Sequence, residues 1–108
     1  AARLGAQAEL QLHESYAGIV NTEPETALVQ TSAERLLGAD RVQVLQQPTM
    51  TTEDFGYFID EAAGSFYHIG VGGTYPLHHP AFLPDADAIL LAAALHAAVL
   101  TNYLSQGK

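Results

Sequence analysis

The stretch from residue 85 to residue 104 constrains this chain more than any other. Ile89, Leu90, Leu91, Leu95, Val99 and Leu100 stand among a run of alanines, so the helix they imply is apolar on nearly every face. Such a helix has to be covered on more than one side, by lipid or by layers of protein. A membrane span needs about 20 uninterrupted apolar residues, and Asp87, His96 and Asn102 interrupt this run. The expectation is therefore a helix packed tightly on a sheet, with alanines permitting close backbone approach. No membrane partner is expected.

Upstream segments fit that layered picture. Residues 7–14 alternate, with Ala8, Leu10 and Leu12 on one face and Gln7, Glu9, Gln11 and His13 on the other, the period of a half-buried strand. A connection over residues 15–21 leads to Thr22, which with Glu25 reads as a capping box, and Pro24 falls in the first helical turn. Val29, Ala33, Leu36 and Leu37 follow at helical spacing and Gly38 supplies a stop, predicting a helix over residues 23–37. Residues 42–45 read as a short strand. Thr51 or Thr52 can cap a helix whose apolar stripe is Phe55, Phe58, Ile59 and Ala62, ended by Gly64. Residues 65–71 read as a third strand, and a loop carries the chain to Pro84. The order β, α, β, α, β, α predicts an α/β sheet flanked by helices.

Charge narrows the partners. Four Lys and Arg against twelve Asp and Glu give a net charge of −8, which argues against nucleic acid and against an anionic membrane surface. The chain has no cysteine, so disulfides, thiolate metal sites and cysteine nucleophiles are excluded, in keeping with a cytoplasmic location. Residues 1–5 read as the last turn of a helix ending at Gly5, entered part-way, which points to a missing upstream portion.

Two clusters could carry chemistry. One is the loop from Gly72 to Pro80, with Tyr75, Pro76, His78 and His79, placed after a strand and before a helix, where open α/β sheets put their sites. Adjacent side chains on extended backbone diverge, so at most one of the two histidines ligates a metal, and both could as well be solvated loop residues. The other is Thr52-Glu53-Asp54, whose carboxylates suit acid–base chemistry or simply complement a helix dipole. His68 and His96 read as structural. No dinucleotide, P-loop or Gly-x-Ser-x-Gly pattern is present.

Four runs in order add a more specific signal: Tyr16-Ala-Gly-Ile-Val-Asn21, Met50-Thr-Thr-Glu-Asp-Phe-Gly-Tyr-Phe58, Gly64-Ser-Phe-Tyr-His-Ile-Gly70 and Leu77-His-His-Pro-Ala-Phe82, followed by the alanine-rich helix with Leu95-His96-Ala97. Over residues 8 to 104 the chain resembles the C-terminal end of the metal-dependent amidohydrolases that include hippurate hydrolase and the auxin–amino-acid conjugate hydrolases. These are grouped with aminoacylase and the glutamate carboxypeptidases among the co-catalytic zinc exopeptidases. Ala17 stands where that family usually has proline.

The resemblance implies a fold, a site and a reaction. Residues 1–20 would end a lid, or dimerisation, domain and residues 21–108 would form the C-terminal part of a zinc-exopeptidase-like catalytic domain, a partial sheet with one strand from the lid. His78 would be one ligand of a site holding two divalent metal ions, zinc or manganese, with His79 at a variable position. Asn21, Thr52 and Glu53 would line the substrate cleft, with Tyr16 and Asp54 nearby. The remaining ligands and the water-activating glutamate would lie upstream, so no catalytic residue is expected within these 108 residues and the chain alone should be inactive, since hydrolytic zinc takes about three protein ligands plus water. The substrate would be an N-acyl or amide-linked amino acid, and the lid strand would support a homodimer or other self-association. The competing reading is a non-catalytic α/β module, or a self-associating one, in which Tyr57, Phe58, Phe66 and Tyr67 are merely core.

Overall fold

The computed structural model describes Gly5, residues 7–13 and residues 18–106. Their regular structure is helical: α1 (Glu23–Leu37), a single 3-10 turn (Ala39–Arg41), α2 (Phe55–Glu61) and α3 (Ala86–Gln106). Among the described residues there is no β-strand, which overturns the expectation of a partial sheet. A strand is defined by its ladder, and among the described residues no two extended segments exchange the repeated backbone bonds that make one. Residues 7–13 are exposed along their whole length, Leu10 and Leu12 included. Val44 and Leu45 are exposed in the same way. Tyr16, Ala17 and the helical turn expected at residues 1–5, Gly5 apart, lie outside the described residues.

α1 follows its local signals closely. Thr22 is the N-cap in extended conformation, Glu23 and Glu25 place negative charge in the first turn, and Arg35 lies in the last. Gly38 ends the helix with φ +93°, its N–H bonded to the Glu34 carbonyl at 2.9 Å. The expected capping box takes another form, because the Thr22 hydroxyl turns away from the helix backbone toward the Glu25 carboxylate and Gly64. α2 is shorter than expected, starting at Phe55 after an uncapped Asp54.

Among the described residues α1 packs on α3, and the 3-10 turn packs on α1 beside it. Ala33 and Leu95 are the buried apolar residues of this seam. A polar bridge crosses it: the Asn102 amide donates to the Ser32 hydroxyl at 3.1 Å, and that hydroxyl donates back to the Leu28 carbonyl at 2.7 Å. Ser32 is buried, so this pairing removes the cost of an unsatisfied hydroxyl. α3 is long and apolar enough to cross a membrane by length and composition alone. Ile89, Leu90, Leu100 and Leu104 remain exposed on the face turned away from α1.

The remaining contacts run through residues 64–71, which keep the alternation of a strand without its ladder. The Phe66 and His68 rings meet edge to face at 5.3 Å, and Phe66 also packs on Phe55 of α2 at 5.6 Å. Tyr67, between them in sequence, faces the opposite way onto His96 of α3 at 5.8 Å. Gly64 makes the approach to α2 possible, since a Cβ there would lie 3.1 Å from the Ile59 side chain. The described structure is extended. Its radius of gyration is 19.4 Å, against about 13 Å for a compact domain of this length. Its accessible surface is 9298 Å², against roughly 5,800 Å² for a compact monomer of this mass.

Candidate functional site

Asn21 and Thr22 fasten the start of α1 to the segment that leads toward the histidine loop. The Asn21 side-chain amide donates to the Phe66 carbonyl and its oxygen accepts the Phe66 N–H, both at 2.8 Å. A side-chain amide thus supplies the paired donor and acceptor that a neighbouring strand would offer. Next to it, the Thr22 N–H donates to the Gly64 carbonyl and the Gly64 N–H donates to the Thr22 hydroxyl, each at 3.0 Å. The Thr26 and Ser65 hydroxyls complete the join at 3.3 Å. The hydrogen-bonding capacity of Asn21 is largely committed to the fold.

Beyond Val71 the chain makes a closed excursion. The Asp85 N–H donates to the Val71 carbonyl at 2.7 Å, bringing together the two ends of the loop formed by residues 72–84. Gly72 and Gly73 turn the chain out with φ +64° and +87°. A Cβ on Gly73 would stand 3.0 Å from the Leu83 carbonyl oxygen, so only glycine fits there without displacement. Asp85 also opens α3, its carboxylate accepting the Asp87 N–H at 3.0 Å.

At the far end of this loop the two histidines are held quite differently. The His79 N–H donates to the Pro76 carbonyl at 3.1 Å, closing a four-residue turn in which His78 takes the third place with φ +68°. A type II turn requires a positive φ at that place and usually fills it with glycine or asparagine. For other residues the left-handed region costs about 1–2 kcal/mol, and such strain concentrates at functional positions. The His78 ring is exposed and makes no hydrogen bond or ring contact within the described residues. His79 is fully engaged. Its ring stacks on Tyr75 at 4.3 Å with the planes 8° apart, and its Nδ1 accepts the Ala81 N–H at 3.0 Å. A neutral imidazole accepting at Nδ1 carries its proton on Nε2, which leaves neither nitrogen with a lone pair for a metal.

Thr52 and Glu53 lie just before α2, Thr52 exposed and Glu53 half-buried, with the Glu53 carbonyl accepting the Gly56 N–H at 3.1 Å. No hydrogen bond or ion pair joins Asn21, Thr52 or Glu53 to His78 among the described residues. Nor do those residues contain three His, Asp or Glu grouped to hold a metal ion. The hollows beside the α1–α3 seam, about 230 and 510 Å³, involve none of these four residues. Among the described residues one buried side-chain polar atom is unpaired: the Tyr67 hydroxyl, whose pKa burial pushes above its ordinary 10.0.

What decides the lineage is the extent of the family match. The model of peptidase family M20/M25/M40 matches residues 3–102. The chain belongs to this family. The resemblance carried by the four sequence runs is thereby borne out. The chain is 32% identical over 93 residues to an N-acetyl-L-cysteine deacetylase of Bacillus subtilis, a match covering 85% of this chain and 21% of that protein. It is 33% identical over 85 residues to an N-acetyldiaminopimelate deacetylase of Streptococcus sanguinis, covering 78% and 22%. A probable hydrolase of Synechocystis is 28% identical over 91 residues, covering 80% and 23%. The chain therefore spans a little over a fifth of the length of these relatives. No solved structure matches it.

Sequence reasoning singled out His78 and Asn21 but missed what surrounds them. The Tyr75–His79 stack was foreshadowed only by two rings four residues apart around Pro76. Nothing in the sequence marked the Asn21 rung, because the residues it joins are 45 apart.

Proposed function

We propose that this M20 chain forms part of a metal-dependent amidohydrolase that removes the acyl group from N-acyl or amide-linked amino acids. Family membership over residues 3–102 carries the reading, and the deacetylase relatives favour a small acyl group. The described residues fit a metal site in one respect, as the source of a single ligand. His78 has the donor set and the presentation for it, with an exposed, unengaged imidazole at the apex of a clasped loop. His79 does not, its Nδ1 being occupied. The remaining ligands would come from protein beyond the described residues.

Divalent metal, when bound in such a site, supplies electrophilic activation of the amide carbonyl and of water. The chain's own residues act around it. The Val71–Asp85 closure and the turn at Pro76 hold the backbone that carries His78. Glu53 and Thr52 lie at the rim of the substrate cleft, Glu53 able to accept an N–H or repel a second carboxylate. On this reading Asn21 would border the substrate cleft, and its bonds to Phe66 tie residues 64–66 to the start of α1. The test is turnover of a series of N-acetyl amino acids by the intact gene product with zinc or manganese. The reading expects hydrolysis that His78→Ala abolishes. Hydrolysis unaffected by that substitution would overturn the ligand role, and no hydrolysis of any N-acyl amino acid would overturn the function.

A further inference from the structure

We infer that Tyr75 and His79 form a positioning pair whose task is to hold the turn that presents His78. The inference rests on the proposed role of His78 and names the residues that make it effective. Left to itself, a histidine avoids the left-handed region, so the turn around His78 would relax to a conformation in which the imidazole leaves its place. Something must over-determine that turn, and His79 is the residue through which the local bonds pass. Its N–H closes the turn on Pro76 at 3.1 Å and its carbonyl accepts the Phe82 N–H at 2.9 Å. Its Nδ1 accepts the Ala81 N–H at 3.0 Å, and its ring lies flat on Tyr75 at 4.3 Å.

The two sides of the turn are thus tied to one ring. Tyr75 precedes the turn and Ala81 follows it, and both are bound to the His79 imidazole, so the four residues between Tyr75 and Pro80 cannot unwind while that ring stays in place. The Val71–Asp85 bond fixes the base of the same loop. His78 itself contributes nothing to this framework, which leaves its nitrogens available. Adjacent histidines with opposite duties account for the sequence pair that spacing alone could not divide.

The experiment measures metal affinity by competition with a chromogenic chelator, on the intact protein and five variants. Tyr75→Phe keeps the stack and should bind metal as the parent does. Tyr75→Ala loses the stack, His79→Phe loses the Nδ1 acceptor, and His79→Ala loses both. Each should weaken metal binding by roughly ten- to a hundredfold, the range for residues that orient a ligand. Because the loop is exposed, thermal unfolding of these variants should match the parent within a few degrees. The fifth variant, His78→Ala, separates the two claims. If it binds metal like the parent, the ligand role fails. If it loses metal while Tyr75→Ala and His79→Ala retain parental affinity, the ligand role stands and the positioning pair is refuted. Equal losses in Tyr75→Phe and Tyr75→Ala would also refute it, since the hydroxyl and not the stack would then be responsible.

Discussion

Replacing Asn21 with alanine tests the join between α1 and residues 64–66 in isolation from any chemistry. The substitution removes both 2.8 Å bonds to Phe66 and leaves the Thr22–Gly64 pair in place. A net hydrogen bond contributes about 0.5–1.5 kcal/mol, and since Asn21 is exposed the two together should amount to about 1–2 kcal/mol. That corresponds to a roughly five- to thirtyfold change in the opening equilibrium. Hydrogen exchange at the Thr22 amide reads this directly, because that N–H stays bonded to the Gly64 carbonyl in the variant and only opening of the join frees it. In Asn21→Ala the Thr22 amide should exchange faster by that factor, while amides of α3 around Leu95 stay as they were. Asn21→Asp should fall between, since a carboxylate still accepts the Phe66 N–H but places its second oxygen against the Phe66 carbonyl. Exchange at Thr22 within twofold of the parent in Asn21→Ala would refute the reasoning and return Asn21 to a role in ligand contact alone.

Tyr67→Phe should be neutral or mildly stabilising, by up to about 1 kcal/mol, because it deletes a buried hydroxyl that has no partner, and a loss of more than that in thermal unfolding would show the hydroxyl to be bonded. Burial raises the Tyr67 pKa, so folding stability from this group is full below pH 10 and falls as pH rises past it; ultraviolet titration of the phenols should lose a step above pH 10 in the same variant. Gly73→Ala meets both a φ of +87° and the Leu83 carbonyl at 3.0 Å, so it should destabilise the loop by about 1–3 kcal/mol, read as faster exchange at the Asp85 amide. The 108 residues expressed alone should give only background hydrolysis of N-acetyl amino acids with added zinc or manganese, because one histidine cannot complete a hydrolytic site; turnover above background would show that the machinery lies within them.

The helices were legible because their signals are local. Thr22, Pro24 and Gly38 bound α1 where the structure has it, and Asp85 sits where α3 begins. The sheet was not, and the reason lies in what a strand is. Alternation in residues 7–14 and β-rich composition in 65–71 report side-chain direction, and that direction survives in residues 64–71, where Phe66 and Tyr67 face α2 and α3. Pairing is a property of a second segment, and no pattern within one segment encodes its presence. α2 began later than its threonines indicated, because Thr51 and Thr52 stay outside the helix and Asp54 is the residue before it.

The candidate site shows the same division. His78 could be named from a motif, but its duty and that of His79 separate only once φ, stacking and the Ala81 bond are known. Asn21 was picked out by the family resemblance of the run Tyr16-Ala-Gly-Ile-Val-Asn21, while its bonds to Phe66 depend on a contact 45 residues away. The acidic pair Glu53-Asp54 sits at the start of α2 as a dipole reading would also have it.

The most direct test of the central claim is the divalent metal content of the purified intact protein, measured by elemental analysis beside His78→Ala. Two ions per chain, with a marked loss in the variant and none in His13→Ala, are expected if His78 is a ligand. A parent protein without metal after reconstitution, or a His78→Ala protein with its full complement, would contradict it.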